Sequence, residues 1–231
     1  MFNALKKKIA FARNKKFYSR LVRPGDLCFD IGANTGEKAK LFLSLGARIV
    51  AVEPQSQCGP ALEALGKKYS ERFTYLRKAV ADVRGKMELH IGNVSEISTF
   101  SGEHMKYFGR DGILHWDKKE TVEVITLDEL LSEYGTPAFL KVDTEGYEAN
   151  VLARLGRKIN CIEFEFIPAF KEKAKKCIDL VERAGPAQFN YNIYEQPRFE
   201  LRQWVDAEEM KRVLDGIPPG IVHGNIFAKA V

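Results

Sequence analysis

"FDIGANTGEKA" (residues 29–39) is the stretch on which the fold turns. An apolar run, "LCFDIG" (27–32), ends in glycine, and a second glycine, Gly36, opens the segment that follows. That segment carries Ala39, Leu41, Phe42, Leu43 and Leu45 and stops at Gly46, so the spacing predicts a helix over 36–45. Glycine at both ends of so short a turn lets backbone approach a ligand closely. The helix N-terminus then offers unpaired N–H groups to polar ligand atoms.

Outward from this turn the strand–helix rhythm continues. "RIVAVEP" (48–54) reads as a second strand and 57–69 as a helix, with Pro60 near its start. "FTYLRKAVAD" (73–82) reads as a third strand. A short helix follows at 127–135, then the fourth strand "AFLKVD", a helix over 145–155, the fifth strand "CIEFEFIP" (161–168) and a helix over 170–184. Late strands are expected in "FNYNIYEQPRFELRQW" and "GNIFAKA", with a short helix at 206–215 between them. Alternating strands and helices predict one doubly wound α/β domain over residues 24–231.

Residues 83–125 break the rhythm. "KMELHIGN" and "TVEVITL" alternate as antiparallel strands do, and the polar, Gly-dotted, aromatic stretch between them reads as an insertion over a site. Phe100, Tyr107, Phe108 and Trp116 are candidates for a lid or acceptor wall; ordinary packing of a long loop is their other reading.

The 231 residues carry a net charge of +5, but the charge is unevenly placed. Eight of the 36 basic residues precede Asp26 with no acidic residue among them, leaving 28 against 31 acidic ones, a body of net −3. The basicity belongs to an N-terminal helical arm, residues 1–23, read as one or two amphipathic helices broken near Asn14. A solvated helix face is the favoured reading of this arm, and an anionic partner is the other: a membrane surface contacted weakly, a phosphorylated substrate or RNA. No apolar run is long enough to span a membrane, and the N-terminal lysines are not followed by a signal-peptide core. Cys28, Cys58, Cys161 and Cys177 are widely spaced, the pattern of reduced thiols in a cytoplasmic protein.

One strand after the glycine turn, "VEP" puts Glu53 at a strand's carboxyl end, where an acid can accept both hydroxyls of a ribose. The pair of features predicts an adenosine-containing cofactor. A dinucleotide site needs G-x-G-x-x-G so that pyrophosphate can sit on the helix end. Here Gly32 and Gly36 are spaced G-x-x-x-G, and the Asp30 carboxylate just upstream repels pyrophosphate but suits a cationic amino-acid tail and a sulfonium. That favours S-adenosylmethionine over NAD.

These residues also carry a resemblance. "FDIGANTG", "AVEP", "AVAD" followed by "GKMELH", "TLDELL" and "LKVDTEGYEANVL" together resemble the FkbM family of S-adenosylmethionine-dependent methyltransferases, over roughly residues 17–185. The resemblance implies a Rossmann-like class I methyltransferase domain with a seven-stranded, mostly parallel sheet of order 3-2-1-4-5-7-6. It implies methylation of hydroxyls on sugars, glycolipid-like molecules or polyketides. Carried onto this chain, Asp30, Gly32, Asn34 and Gly36 would surround the methionyl part, with Ala33 and Thr35 in the same turn. Glu53 would hold the ribose, followed by Pro54, and Val80, Ala81 and Asp82 would border the adenine.

In that sheet order the fourth strand lies beside the first, so "FLKVDTEGYE" (139–148) opens next to the sulfonium. Asp143, the last residue of that strand, is expected near the transferred methyl, and Asp143 and Glu145 are the candidate general bases. Helix N-capping by Asp143 or Thr144 is the competing role. Lys141, inside a buried strand, needs a partner. Glu163, Glu165 or an acid of the 143–148 turn is expected to pair with it, making Lys141 a brace rather than a reactant. Asp143, Glu145, Glu163 and Glu165 could gather around Mg²⁺, but a buried lysine among them argues against a dication, and no metal is expected. His104 and His115 are weak candidates for substrate contact. The acceptor is expected to be a small-molecule or glycan hydroxyl. Two further readings are an RNA methyltransferase using the basic arm, and a non-catalytic cofactor-binding or membrane-surface protein. The fourth strand ends in "VDTEG" rather than an Asn/Asp-Pro-Pro-aromatic run, which counts against methylation of exocyclic amines and so against nucleic acid.

Overall fold

The computed structural model describes residues 2–218 and 222–231. Its elements run α1 (Phe2–Tyr18), β1 (Leu27–Ile31), α2 (Glu37–Ser44), β2 (Arg48–Val52), α3 (Gly59–Lys68), β3 (Phe73–Leu76) and β4 (Ala79–Ala81). They continue with β5 (Gly85–Ile91), α4 (Gly102–Phe108), β6 (Lys118–Thr126), α5 (Leu127–Tyr134), β7 (Phe139–Val142) and α6 (Glu148–Leu152). The last are β8 (Cys161–Phe166), α7 (Lys171–Ala184), β9 (Ala187–Ile193), α8 (Ala207–Gly216) and β10 (Gly224–Ala230).

Seven strands form the central sheet in the order β3-β2-β1-β7-β8-β10-β9. Counted along the chain these are strands 3-2-1-4-5-7-6, the order implied by the resemblance. All pairs are parallel except those made by β10, which is antiparallel to both β8 and β9. Because both faces are covered by helices, the inner strands bury alternate residues on each side. Phe29, Ile31, Val50, Val52, Leu140 and Val142 enter one core with α5, α6, α7 and α8. Cys28, Ile49, Ala51, Phe139 and Phe227 enter the other, with α2, α3 and the last turn of α1.

The expected third strand is two strands. After Leu76 the chain turns toward β6, where Arg77 and Lys78 meet Glu120 and Glu123, each at 3.6 Å. Lys78 N–H turns back to the Leu76 carbonyl (2.9 Å), and Ala79–Ala81 joins a separate three-stranded sheet beside β6. The antiparallel partner of β6 in that sheet is β5, so the two alternating segments of the insertion pair as expected. Between them α4 is a helix that the polar, Gly-dotted sequence does not suggest; Ser101 caps it, its Oγ accepting from His104 N–H at 3.2 Å.

The N-terminal segment is one helix that runs through Asn14 without a break. Residues 5–13 are exposed, with Leu5, Ile9 and Phe11 among the basic residues, while Phe17 and Tyr18 are buried. The Tyr18 ring packs edge-on against Phe42 and Phe139. Among the described residues no helix is long and apolar enough to cross a membrane.

Candidate active site

The site lies where β1, β2 and β7 end together. Gly32 has φ +78°, and a Cβ on it would overlap the Asp143 carbonyl oxygen. Only glycine lets the ends of β1 and β7 touch in this way. Asp143 N–H donates to Ile31 O (3.0 Å), and Gly32 N–H to Val52 O (2.9 Å), which ties three strand ends into one ledge. Beyond it, Gly36 (φ +80°) abuts Leu62 and Leu65 of α3, so the second glycine serves packing rather than a ligand.

Glu53 follows β2 and is buried. Its Oε2 accepts Asn34 N–H and its Oε1 accepts Gln55 N–H, each at 2.9 Å. Burial raises its carboxyl above the usual range, and these N–H donors oppose the rise. Each carboxylate oxygen retains further acceptor capacity.

A cleft opens over this ledge. Ile31, Gly32, Asn34 and Val52 form its floor, and Glu53, Pro54 and Gln55 one side. Ala79, Val80, Leu89 and Phe100 make an apolar slot, Ser95, Glu96 and Ser98 cover it, and Asp143, Thr144 and Glu145 form the opposite lip. The insertion is fastened across both sides. Ser98 Oγ donates to Gln55 Oε1 (2.7 Å), and Thr99 Oγ1 donates to the Glu145 carbonyl (2.7 Å).

The turn after β7 is wound around one buried carboxylate. Glu148 Oε1 accepts Thr144 N–H (2.9 Å), Thr144 Oγ1–H (3.1 Å) and Gly146 N–H (3.1 Å). Glu145 sits in the left-handed region at φ 54° as a result of this winding. Neither Asp143 nor Thr144 caps α6, which starts only at Glu148 behind an uncapped Tyr147. That corrects the capping alternative and the expected helix start at 145.

Lys141 is 4 % exposed, and its Nζ donates to Asp143 Oδ2 at 2.9 Å with Asp30 Oδ1 at 3.8 Å. Of the partners expected for it, the acid of its own turn is the one found. Glu163, its register partner on β8, instead accepts the Tyr18 hydroxyl at 2.8 Å and lies 3.7 Å from Lys38 Nζ. Burial opposes ionisation of Asp143, but the Lys141 charge outweighs it and holds the carboxyl below its usual range. Glu145 behaves oppositely. Burial, then the nearby charges of Asp143 and Glu148, push its carboxyl well up.

Glu165 joins these two: single oxygens of Asp143, Glu145 and Glu165 all lie within 4.8 Å of one another. That spacing could hold a cation or be bridged by one polyhydroxylated ligand. Burial and the charges of Glu145 and Asp143 push the Glu165 carboxyl well up, and His223 Nδ1 lies 3.7 Å from it.

Several predicted residues lie off the cleft. Asp30 is fully buried one rung below Gly32, beside Lys141, and neither of its oxygens has a hydrogen-bond partner. Ala33 is buried, Thr35 is exposed, and Ala81 lies behind Val80. Asp82 accepts from Asn150 Nδ2 (3.3 Å) through its carboxylate and from Arg154 Nε (2.6 Å) through its carbonyl. Conversely Gln55, Ser98, Leu89 and Phe100 line the cleft without having been singled out as cofactor contacts. For Leu89, Ser98 and Phe100 the sequence signal is the alternation of β5 and the break in rhythm at 83–125; for Gln55 it is its place directly after "VEP".

The sequence model of the methyltransferase FkbM domain matches residues 30–208. The chain belongs to the FkbM methyltransferase family. No curated protein matches it. Among solved structures, methyltransferase FkbM from Methylobacillus flagellatus is 14% identical with a TM-score of 0.53, over 92% of this chain and 50% of that one. This FkbM methyltransferase thus spans half of that protein's length, and at that identity the likeness speaks for the fold. The C-terminal domain of precorrin-6Y C5,15-methyltransferase from Rhodobacter capsulatus is also 14% identical, with a TM-score of 0.49 over 94% of this chain and 86% of that one. An rRNA methylase from Streptococcus thermophilus is 11% identical, with a TM-score of 0.45 over 94% and 93%.

The cofactor of an FkbM methyltransferase is S-adenosylmethionine. The cleft fits it on two observations. Glu53 stands at the end of β2 with acceptor capacity left, and the apolar side chains of Ala79, Val80, Leu89 and Phe100 line the same cleft, suited to a flat base.

Proposed function

We propose that this methyltransferase transfers the methyl group of S-adenosylmethionine to a hydroxyl of a carbohydrate, glycolipid or polyketide-like acceptor. The observation that carries this reading is the division between the two acids at the lip of the cleft: Asp143 is held ionised by Lys141, while Glu145 is pushed well up. Two carboxylates whose environments drive them apart suit different tasks. Asp143, a fixed negative charge, would stabilise a cationic ligand. Glu145, the stronger base, would accept the hydroxyl proton as the acceptor oxygen gains the methyl. When bound, S-adenosylmethionine supplies an electrophilic methyl on a sulfonium. Glu53 would hold the ribose, Gly32 and Asn34 the methionyl part, and Val80 with Phe100 the adenine. Lys141 braces Asp143 and touches no reactant. Positioning of the acceptor by the acid cluster would contribute the largest part of the acceleration, and proton removal about 10²–10⁴-fold.

All four cysteines are free and buried, which supports a reducing, cytoplasmic compartment. The test is methyl transfer from isotopically labelled S-adenosylmethionine to panels of glycan, glycolipid and polyketide hydroxyls, with the product's linkage read by NMR. An O-methyl product is expected. Transfer only to RNA or to an amine would replace the reading, and failure to bind either S-adenosylmethionine or its demethylated product in calorimetry would sink it.

A further inference from the structure

His104, on α4 of the insertion, is 1 % exposed, and its Nε2 lies 3.4 Å from Glu145 Oε2. Its Nδ1 has no hydrogen-bond partner. The ring is packed against Phe108 (centroids 4.5 Å apart) and stands edge-on to Trp116 (6.4 Å). Burial, and then the charge of Lys173, push the imidazole down to about 4, so it is neutral at physiological pH. Its approach to Glu145 is therefore that of a neutral ring, not of an ion pair.

The geometry selects the tautomer. With Glu145 ionised, as the base role requires, a proton on Nδ1 would leave a buried N–H without an acceptor and set the Nε2 lone pair against the carboxylate. A proton on Nε2 points a donor at Glu145 and leaves only a bare lone pair at Nδ1. A buried polar group left unsatisfied is destabilising, and the second arrangement avoids the worse of the two. In ligand-free proteins such contacts are often long and tighten once the reactants are bound.

We propose that His104 is a positioning residue for Glu145, donating from Nε2–H to its Oε2 so that the other carboxylate oxygen is aimed at the acceptor hydroxyl. This rests on the reading of Glu145 as the proton acceptor. It gives the insertion a second task. Besides covering the cofactor cleft, it holds the base from outside the turn. Glu148 holds the same turn from within. Glu145 then has its backbone fixed by the winding around Glu148 and by Thr99, and its carboxylate fixed by His104. The charged groups facing the pair are Lys173 from α7, Lys141 from β7, Asp143 and Glu148 from the turn, Glu165 from β8 and Glu96 from the insertion.

Two variants test the role. His104→Phe keeps the packing against Phe108 and Trp116 but has no donor. His104→Gln carries an amide N–H at about the reach of Nε2. For His104→Phe the expectation is a roughly ten- to hundredfold fall in kcat, with the KM for S-adenosylmethionine within about twofold. His104→Gln should recover most of kcat, and His104→Phe added to Glu145→Ala should cost nothing further. Full activity in His104→Phe, no rescue by Gln, or additive losses in the double variant would overturn the proposal. An independent reading needs no variant: ¹⁵N NMR of the unmodified protein near pH 7 should show His104 neutral with its proton on Nε2, and the Nδ1–H tautomer would overturn the assignment. A wild-type enzyme that methylates no hydroxyl would instead defeat the reading of the reaction, and the NMR result would stand apart from it.

Discussion

Lys141 reaches along its own strand to Asp143, two residues on, and not across to Glu163, which lies directly beside it on β8. The ammonium thus sits between two acids of different exposure: Asp143 at the lip of the cleft and Asp30 buried beneath it. Removing it leaves both with only the weaker influence of Lys38 among the nearby lysines. Lys141→Met should destabilise the fold by about 3–5 kcal/mol, the cost of an uncompensated buried charge. Urea unfolding followed by circular dichroism measures this. A loss below about 1 kcal/mol would mean that water already reaches Asp30.

Gly32→Ala has nowhere to put its methyl group, because the Asp143 carbonyl occupies that space and the residue is at φ +78°. The ends of β1 and β7 must part. The expected outcome is a strongly destabilised protein with little cofactor affinity, read by thermal melts and calorimetry together. A variant of normal stability that binds S-adenosylmethionine normally would contradict the contact between the two strand ends.

Cofactor binding and turnover should separate between two acids. Glu53→Ala removes the acceptor expected for the ribose and frees two backbone N–H groups that it now holds. It should weaken S-adenosylmethionine binding by about tenfold or more, since hydrogen bonds to charged groups are worth roughly 1.5–3 kcal/mol. Glu145→Gln, which removes the proposed proton acceptor, should spare binding and lower kcat. The opposite pattern would exchange the two roles.

The imidazole of His104 gives a pH dependence whose sign can be worked out. In the unfolded chain it titrates near 6.5, and in the folded protein at about 4. Between those values the unfolded chain binds more protons, so this residue makes stability rise with pH across the window, by up to about 3 kcal/mol. The raised carboxyls of Glu145 and Glu165 act the other way. Their contribution is complete below the ordinary carboxylate range and is lost as pH rises through their elevated folded values. The His104 share is therefore isolated as a difference: wild type should gain on His104→Phe as pH rises from about 4 to 6.5. Parallel stability curves for the two proteins would show that the ring is accessible to water.

The sheet was legible because its signals are local and repeated. "FDIGANTG", "AVEP" and "LKVD" each end a buried strand at the same edge, and the resemblance they carry implies which neighbours they have. Where prediction and structure part, a long-range contact decides. Past β3, Arg77 and Lys78 pair with Glu120 and Glu123 of β6, each at 3.6 Å, and Ala79–Ala81 finds its strand partner in β6 too, more than forty residues later. Asn14 does not break α1, since the helix is set by its buried last turn rather than by one polar residue. The same holds at the site. Asp143 and Glu145 were visible beside the strand end. Glu148 looked like one more acid in a charged helix, because the groups it holds are backbone N–H, which sequence does not display. His104 gave no sign of meeting Glu145, forty-one residues away, until α4 had formed and the insertion had closed over the turn.

The hydrogen bond from Thr99 to the Glu145 carbonyl joins two walls that are far apart in sequence. Ser95, Glu96, Ser98 and Phe100 line the cleft from the insertion, and Thr144 and Glu145 line it from the turn after β7. The backbone of Glu145 is thus anchored to the insertion, and a substitution that reshapes one wall of the cleft is felt at the other.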